Sequence, residues 1–367
     1  LRLVQVESDV VVPVELASRC REPAAATLRP KLHRLLQRFL VPCPHVPLRR
    51  RAAELEPPGG PGEDLRDPAA LLASLDVDRR VPLTKAFCGG TKQAESRLLA
   101  FLPKLRAYGT GKANDPSAPE TSLLSSYLHF GHISPVELGL RVREAAEAQA
   151  TAGGGAKAAE GAATFLEELI VRRELARNFC LYCDVYDSFE CLPEWARVSL
   201  LKHQGDRREQ IYAFEQLERG DTGDPCWNAA QWEMVATGHM HNYMRMYWCK
   251  QIITWTEDPR TAFEWAVRLN NRYSLDGRDE NGYMGIAWCF GHHDRPFPER
   301  PIFGEVRPMT RSGLEGKFNM QRYRRLVQRK CREAIAVEPR LLTLLPHAAL
   351  GGGTAEGNCG GLLRFLA

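Results

Sequence analysis

The central part of the chain follows a helical pattern of apolar and polar positions. From Thr91 onward, the segment TKQAESRLLAFLPKL places apolar residues three or four positions apart, which is the spacing of one helix face. Residues 165–183 show the same periodicity. Together these segments predict a mostly α-helical domain over residues 86–336.

Local signals place several helix boundaries in this domain. Pro225 suits the first turn of a helix, and Gly238 suits the end of the same helix. His239 is then expected to begin a second helix that runs to about Trp255, and Pro259 marks the start of a third.

The two ends of the chain follow other patterns. Residues 3–14 are rich in Val and predict a strand, and PPGGPG at 57–62 is typical of a linker. We therefore expect residues 1–85 to be a partial α/β domain with its linker. Residues 153–163 are of low complexity and predict a mobile loop, and residues 337–367 predict a disordered tail.

Composition narrows the class of protein only moderately. The 367 residues are 44% hydrophobic and 26% charged, and the net charge of +4 neither demands nor excludes nucleic acid as a partner. No apolar run approaches the roughly 20 residues that span a bilayer. Eleven cysteines favour reduced, intracellular thiols, and the lone pair Cys180 and Cys183 is interpreted as core cysteines rather than half a zinc or redox site. The first residue is not Met, so we expect a fragment.

Residues 227–288 are the most informative block, because aromatic, amide and carboxylate groups are interleaved more densely than a helical core needs. Six of the seven tryptophans lie there, within WNAAQWEMVATGHMHNYMRMYWCKQIITW and LNNRYSLDGRDENGYMGIAW. Together with the upstream segment TSLLSSYLHFGHISP, this block resembles the core of the class II cyclobutane pyrimidine dimer photolyases.

The resemblance implies a fold, a cofactor and a partner. The implied fold is an all-helical FAD-binding domain preceded by a truncated, Rossmann-like α/β antenna-domain remnant. FAD is expected to be noncovalent and active as the reduced anion, and UV-damaged DNA with pyrimidine dimers is the expected partner. The implied reaction is light-driven electron transfer to a flipped-out dimer. No metal is implied, a monomer in an intracellular, DNA-containing compartment is expected, and the binding of an antenna chromophore stays open.

The resemblance also assigns residues to the cofactor. Hydroxyls at a helix start suit an anion site, although the same residues equally serve as simple helix N-caps. Asn270 is expected to face the flavin N5 atom, with Asp276 near the polar edge of the ring and Arg245 as a nearby positive charge. An Asn amide both donates and accepts hydrogen bonds, which suits changing redox states. The expected cofactor set is Tyr108, Thr121, Ser122, Leu124, Ser125, Arg245, Asn270 and Asp276.

A second set is assigned to the lesion. The resemblance implies that Glu168 hydrogen-bonds the pyrimidine edge and that Trp288 packs on the flipped dimer. Asn242 and Met246, one helical turn apart, are expected at the same cavity. Without the resemblance, Glu168 would be interpreted as a solvated helix charge. Photolyases often carry a second Trp three or four residues after this Glu, and Arg172, which lies there in this chain, is assigned to the substrate as a candidate phosphate contact.

Three tryptophans match the photoreduction chain of the family. Trp248 and Trp255 lie seven residues apart, so they share a face of one predicted helix and differ by about 10 Å along its axis. Trp227 completes the chain, and Tyr212 is expected beside Trp255. Aromatics at helical spacing usually fill a core, but the matched spacing favours electron transfer. The expected catalytic set is Glu168, Asn270, Trp227, Trp248 and Trp255.

Two other functions stay open at this point. A cryptochrome-like photoreceptor would share the fold and FAD without repairing dimers, and the lesion set favours repair over it. A non-enzymatic DNA-binding scaffold would bind no flavin. A basic strip is either a contact to DNA phosphates or a solvated helix face; it comprises Arg322, Arg324, Arg325, Arg329, Lys330 and Arg332.

Overall fold

The computed structural model of the chain describes residues 3, 6–44, 46–47, 66–108, 110, 112–151 and 155–351. Over these residues helices dominate and no strand forms, apart from an isolated bridge between Arg300 and Gly304. The prediction of a mostly α-helical fold is therefore confirmed. Within the same residues, no helix combines the length and apolar character needed to cross a membrane.

The α-helices are, in chain order, α1 Val14–Ala17, α2 Ala25–Phe39, α3 Pro68–Ser74, α4 Thr91–Phe101, α5 Leu105–Tyr108, α6 Ser125–His129, α7 Pro135–Gln149, α8 Gly155–Leu166, α9 Arg173–Leu181, α10 Glu194–Lys202, α11 Phe214–Arg219, α12 Pro225–Thr237, α13 Asn242–Trp255, α14 Pro259–Tyr273, α15 Glu280–Cys289, α16 Arg311–Lys317 and α17 Met320–Val337. A π-helical segment, Glu167–Arg172, joins α8 to α9. Short 3₁₀ segments occur at Leu102–Lys104, Lys112–Asn114, Phe189–Cys191, Pro339–Thr343 and His347–Leu350.

The helix α12 lies at the centre of the molecule. Every residue of α12 after Pro225 is buried, so this helix has no solvent face. It packs on α17 and on α13, and α13, α14 and α15 pack on one another. The helix α9 completes the arrangement by packing against α15. The predicted site residues of α13, α14 and α15 are thus carried by one contiguous set of helices.

The boundary signals around α12 were largely correct. Pro225 occupies the first turn, where the Asp224 carboxylate accepts hydrogen bonds from the first free N–H groups. Gly238 ends the helix at φ +70°, and a Cβ there would come within 2.5 Å of the Leu275 side chain. The start predicted at Pro259 is confirmed. The next helix begins at Asn242 rather than His239, because His241 serves as its N-cap.

The predicted strand at residues 3–14 is wrong over the part that the structure describes. Residues 6–13 are irregular, and α1 begins at Val14. Val11 and Val12 donate their backbone N–H groups to the buried Glu174 carboxylate at 2.9 and 3.1 Å, so a side chain of α9 replaces the neighbouring strand. The described part of residues 1–85 contains no strand, and Leu28 and Leu32 of α2 join the main hydrophobic core. The α/β character of this segment is therefore not supported there, and the boundary at residue 85 stays a prediction.

Two segments predicted to be loose are ordered. Residues from Gly155 to Leu166 form α8, with Ala158 and Ala162 buried, so the predicted mobile loop is wrong from Gly155 onward. The repeated Ala residues supply helix propensity that low complexity concealed. Residues 339–350 contain two 3₁₀ segments in which Leu341 and Ala349 are buried, and Leu345 between them is buried as well. The predicted disordered tail is therefore wrong there. The linker at 57–62 and residues 352–367 lie outside the described residues.

A buried ion pair joins α12 to α17. The Lys330 ammonium lies 2.5 Å from the Glu233 carboxylate, which also accepts a hydrogen bond from the Tyr323 hydroxyl at 2.8 Å. Burial opposes ionisation of Glu233, but the neighbouring Lys330, His239 and Tyr323 lower its pKa overall. Lys330 therefore points inward and is not available to DNA, whereas Arg329 of the same strip is exposed beside Glu333.

Replacement of Lys330 by Met should destabilise the fold because it leaves the Glu233 carboxylate buried without its cation. We expect a loss of about 3 kcal/mol in the free energy of unfolding, the lower end of the range for breaking a buried pair, since Lys330 is partly exposed. Urea denaturation of the unaltered and Lys330→Met proteins measures it. Arg329→Met is the matched control and should change stability by less than about 0.5 kcal/mol; equal effects would show that Glu233 does not depend on Lys330.

Candidate active site

The predicted site residues fall into three neighbouring groups. The first surrounds Glu168 on the π-helical segment, the second surrounds Asn270 near the end of α14, and the third is a row of tryptophans on α12 and α13. π-Helical turns are rare and occur often at functional sites, so the position of Glu168 is itself informative.

Glu168 forms a hydrogen-bonded pair with Tyr108. The Tyr108 hydroxyl donates to the Glu168 carboxylate, and the Tyr108 ring packs edge-on against Phe101 and Phe165, each at 5.5 Å. Glu168 reaches solvent, yet enough protein surrounds it for burial to raise its pKa, against the opposing effects of Tyr108 and Arg172. We infer from this combination that Glu168 lies on a concave part of the surface, called the concavity below. The expected role of Tyr108 in lining a cofactor stays a prediction.

Trp288 forms the next part of this concavity. The Arg172 guanidinium carbon lies 5.1 Å from the centre of its indole ring, and the His293 ring contacts the indole edge-on at 5.8 Å. Arg172 also lies 3.6 Å from Glu167. The neighbouring Cys289 thiol approaches the Met246 carbonyl oxygen at 3.9 Å, which brings α13 and α15 together here.

Asn242 takes a more open position. It is exposed at the first position of α13, one turn before Met246, as the sequence predicted. The structure therefore places Arg172 directly against Trp288, and Arg172 lies close enough to Glu168 to lower the pKa of its carboxyl group. Asn242 and Met246 are placed on the adjoining helix.

The second group is polar and mostly buried. Arg245 donates to the Asp276 carboxylate at 2.7 Å and to the Met240 carbonyl oxygen at 3.1 Å. Burial opposes ionisation of Asp276, but Arg245 lowers its pKa overall, with contributions from His239 and a hydrogen bond from Ser125. Ser125 of the predicted phosphate loop therefore lies near Asp276 of the predicted ring edge.

Asn270 is buried beside the start of α15. Its side-chain oxygen accepts a hydrogen bond from the Ser274 hydroxyl at 3.2 Å, and its amide nitrogen lies 3.4 Å from the Asn271 side-chain oxygen. A Cβ on Gly282 would come within 2.9 Å of the same amide nitrogen. Gly282 therefore leaves the space in which the Asn270 amide sits.

The loop before α6 carries hydroxyl groups without partners. Within the described structure, the side-chain oxygens of Thr121 and Ser117 are buried and make no hydrogen bond. Leu123 adopts φ +55°, a costly conformation for a non-glycine residue that often marks a functional site. The Leu124 N–H donates to the Ser122 hydroxyl at a long 3.4 Å. Buried, unpaired hydroxyls in a strained loop fit a ligand with anionic oxygens such as a diphosphate.

The third group is a connected row of aromatic rings. Trp248 and Trp227 lie parallel at 6.2 Å, and Trp227 meets Trp255 edge-on at 5.3 Å. Tyr212 meets Trp255 edge-on at 5.2 Å, as expected. Trp227 thus lies between the two residues of α13 and bridges their separation along the helix.

Several residues near these groups escaped sequence reasoning. Gln231 accepts a hydrogen bond from the Trp248 indole N–H at 2.9 Å, and burial lowers the pKa of His239 to about 4 beside the Glu233 and Asp276 carboxylates. The available signal was the composition of α12, since amide and carboxylate groups in an otherwise apolar helix require internal partners.

Comparison with known proteins gives a consistent picture. No family model matches the chain. The chain is 48% identical over 323 residues to a deoxyribodipyrimidine photo-lyase of Methanothermobacter thermautotrophicus, covering 88% of this chain and 67% of the relative. It is 40% identical over 336 residues to a deoxyribodipyrimidine photo-lyase of Arabidopsis thaliana, covering 88% and 64%. The chain spans 58–67% of the length of four such relatives.

One solved structure supports the fold. A cryptochrome from Synechocystis sp. PCC6803 superposes with a TM-score of 0.55 at 14% identity, covering 87% of this chain and 61% of that chain. At this identity the similarity concerns the helical architecture alone.

Replacement of Tyr108 by Phe should raise the pKa of Glu168 further. The Tyr108 hydroxyl favours the ionised carboxylate, so its removal leaves burial less opposed, and Glu168 should hold its proton to higher pH. A ¹³C NMR titration of labelled glutamate side chains measures the midpoint. Tyr186→Phe, which alters a ring packed on Tyr283, is the control and should leave the midpoint unchanged; a Glu168 midpoint that stays put or falls in Tyr108→Phe would contradict the pairing.

Proposed function

We propose that this chain, which belongs to the deoxyribodipyrimidine photo-lyase family, repairs cyclobutane pyrimidine dimers in DNA. The repair uses light and noncovalently bound FAD. Class II is the subgroup that its motifs resemble. The observations that carry the proposal are the accessible Glu168 carboxyl group, paired with Tyr108, and the partly exposed Trp288 indole, in contact with Arg172.

The residues of the second group suit FAD. The unpaired Thr121 hydroxyl would donate to a phosphate oxygen, and Ser125 and Asp276 connect this loop to Arg245. The Asn270 amide, set close to Gly282, would meet the ring system. When bound, reduced and photoexcited, FAD supplies the electron that splits the cyclobutane ring and receives it afterwards.

The residues of the first group suit the dimer. A flipped dimer needs a flat apolar wall and a few hydrogen-bonding groups. Trp288 offers the wall, with His293 against its edge. Glu168, with its raised pKa, can donate a hydrogen bond to a pyrimidine carbonyl oxygen when protonated and so stabilise negative charge on the base.

The tryptophan row gives the protein a route for electrons through its core. Adjacent rings from Trp248 to Trp255 lie within 6.2 Å, and no non-aromatic side chain has to be crossed between them. The Trp248 N–H is held by an uncharged amide oxygen on Gln231, so its indole is fixed in one orientation. This row would deliver the electron that keeps the cofactor reduced.

The decisive experiment is illumination of the purified, reduced protein with an oligonucleotide containing one pyrimidine dimer. Light-dependent loss of the dimer, with none in the dark, is the expected outcome. Bound FAD without loss of the dimer would identify a cryptochrome-like photoreceptor instead. Absence of flavin absorbance would favour a DNA-binding scaffold.

Replacement of Glu168 by Ala should lower repair more than it lowers FAD content. A hydrogen bond to a charged group contributes about 1.5–3 kcal/mol, so repair should slow by about ten- to a hundredfold. Flavin absorbance and the rate of dimer loss are measured on the same preparation. Glu160→Ala, on the exposed side of α8, is the control; equal losses of repair and of FAD in Glu168→Ala would assign Glu168 a structural role.

Replacement of Trp248 by Phe should abolish photoreduction while chemically reduced protein still repairs dimers. The substitution replaces the readily oxidised indole at one end of the row by a phenyl ring, which keeps an aromatic side chain in the packing. Flavin absorbance under blue light measures photoreduction. Trp265→Phe, whose ring packs on Phe214, should behave like the unaltered protein. Loss of repair by pre-reduced Trp248→Phe would contradict the assigned role.

A further inference from the structure

One face of the Trp288 indole is covered by a charged group. The Arg172 guanidinium carbon lies 5.1 Å from the indole centre, which is within cation–π contact distance. A flat base that stacks on this face has to share it with Arg172 or displace it. The position of Arg172 therefore decides which ligands reach Trp288.

Arg172 is held loosely, whereas Trp288 is held firmly. The Arg172 side chain is 39% exposed, and its nearest carboxylate, Glu167, is 3.6 Å away. Glu167 itself is fixed by two hydrogen bonds from Arg29, at 2.7 and 3.0 Å. The Trp288 indole contacts His293 edge-on, and the His293 ring nitrogen donates to the Pro23 carbonyl oxygen at 2.7 Å. If the Arg172 and Trp288 side chains move apart, Arg172 is thus the one that moves.

The required movement is small. A planar ring between the guanidinium and the indole needs two van der Waals contacts, or about 7–8 Å between the two groups, and the present distance is 5.1 Å. Arg172 would have to withdraw by only about 2–3 Å. Its exposed side chain and long contact to Glu167 allow this shift without rearrangement of the π-helical backbone.

We propose that Arg172 and Trp288 form a clamp, in which the planar guanidinium stacks on one side of a flipped pyrimidine and the indole on the other. The clamp deepens the proposed repair function and rests on it. Arg172 then determines specificity through its flat shape. A contact to a DNA phosphate, the alternative for this side chain, would instead support binding of damaged and undamaged DNA alike and would add to the salt dependence.

The test compares three replacements of Arg172. Arg172→Lys keeps the charge and loses the plane, Arg172→Met loses both, and Arg172→Trp restores a flat wall. Binding is measured by fluorescence anisotropy with a duplex that contains one cyclobutane thymine dimer and with the same duplex undamaged. Arg268→Lys is the matched control, because Arg268 also lies over an aromatic ring, Phe214, at 4.2 Å.

The clamp predicts a specific pattern of affinities. Lys and Met should both weaken binding of the damaged duplex by about tenfold, the scale of base–aromatic stacking, and Trp should restore it. Binding of undamaged duplex and the salt dependence of binding should stay unchanged. In the free protein, the indole NMR signal of Trp288 should shift in Arg172→Met and remain in place in Arg268→Lys.

Two outcomes would overturn the clamp. Full affinity of Arg172→Lys, or weaker binding of both duplexes with a salt slope lower by about one, would show a phosphate contact instead. An unaltered protein that binds both duplexes equally, and does not repair the dimer, would instead refute the proposed function and the clamp with it. The two failures are therefore distinguishable by the behaviour of the unaltered protein.

Discussion

The arrangement of the central helices follows from one constraint, that a buried polar group has to find its partner inside the protein. The helix α12 is buried on every side but still carries Gln231 and Glu233. Gln231 accepts the Trp248 N–H and donates to the Glu218 carbonyl oxygen at 3.0 Å, and Glu233 is matched by Lys330. An unmatched group would cost about 1–3 kcal/mol. Each pairing therefore fixes one placement of α12 against a neighbour, and the placement of Trp227 between the indoles of α13 is a consequence.

The same constraint reaches the lesion side of the site through Lys250. This residue of α13 is buried, and its ammonium donates to the Cys289 carbonyl oxygen at the end of α15. Burial lowers the pKa of Lys250, while a positive charge at the carbonyl end of a helix is favourable. Met246 lies one turn before Lys250, and Trp288 directly precedes Cys289. The buried contact between Lys250 and Cys289 thus sets the distance between Met246 and Trp288, the residues of α13 and α15 that are expected to meet the dimer.

Sequence reasoning was reliable where a local signal decides the structure. Pro225 and Gly238 bound α12 as predicted, because first-turn prolines and left-handed positions depend on neighbouring residues alone. The seven-residue spacing of Trp248 and Trp255 predicted that they share a face of one helix, because a helix converts spacing into direction. Their association with Trp227 of α12 came from the resemblance and not from spacing. Residues 3–14 were predicted wrongly because Val-rich segments suit any half-buried extended chain, and only the distant Glu174 reveals what their N–H groups bind.

The contacts that organise the lesion side were hidden for the same reason. The contact of Arg172 with Trp288 joins residues 116 positions apart, and no periodicity encodes it. His293, Glu167 and their partners likewise meet only in the folded chain. A resemblance can name the residues of a site, but it does not state which neighbour restrains each of them.

Residues 21–29 show why the first part of the chain belongs physically to the site. Arg29 holds Glu167, the carboxylate beside Arg172, and the Pro23 carbonyl oxygen holds His293, the ring beside Trp288. Arg21 adds a hydrogen bond to the Cys191 carbonyl oxygen at 2.7 Å and contacts His292. Glu167, beside Arg172, and His293, beside Trp288, are therefore both restrained by one short segment, which the sequence predicted to belong to a separate domain.

His293 carries no charge at physiological pH. The Pro23 oxygen accepts the Nδ1 proton, and burial lowers the pKa of His293 to about 4. Of the two residues that contact the indole, Arg172 and His293, Arg172 is then the one that carries a charge. A bound base therefore meets the positive charge of the side chain that can move.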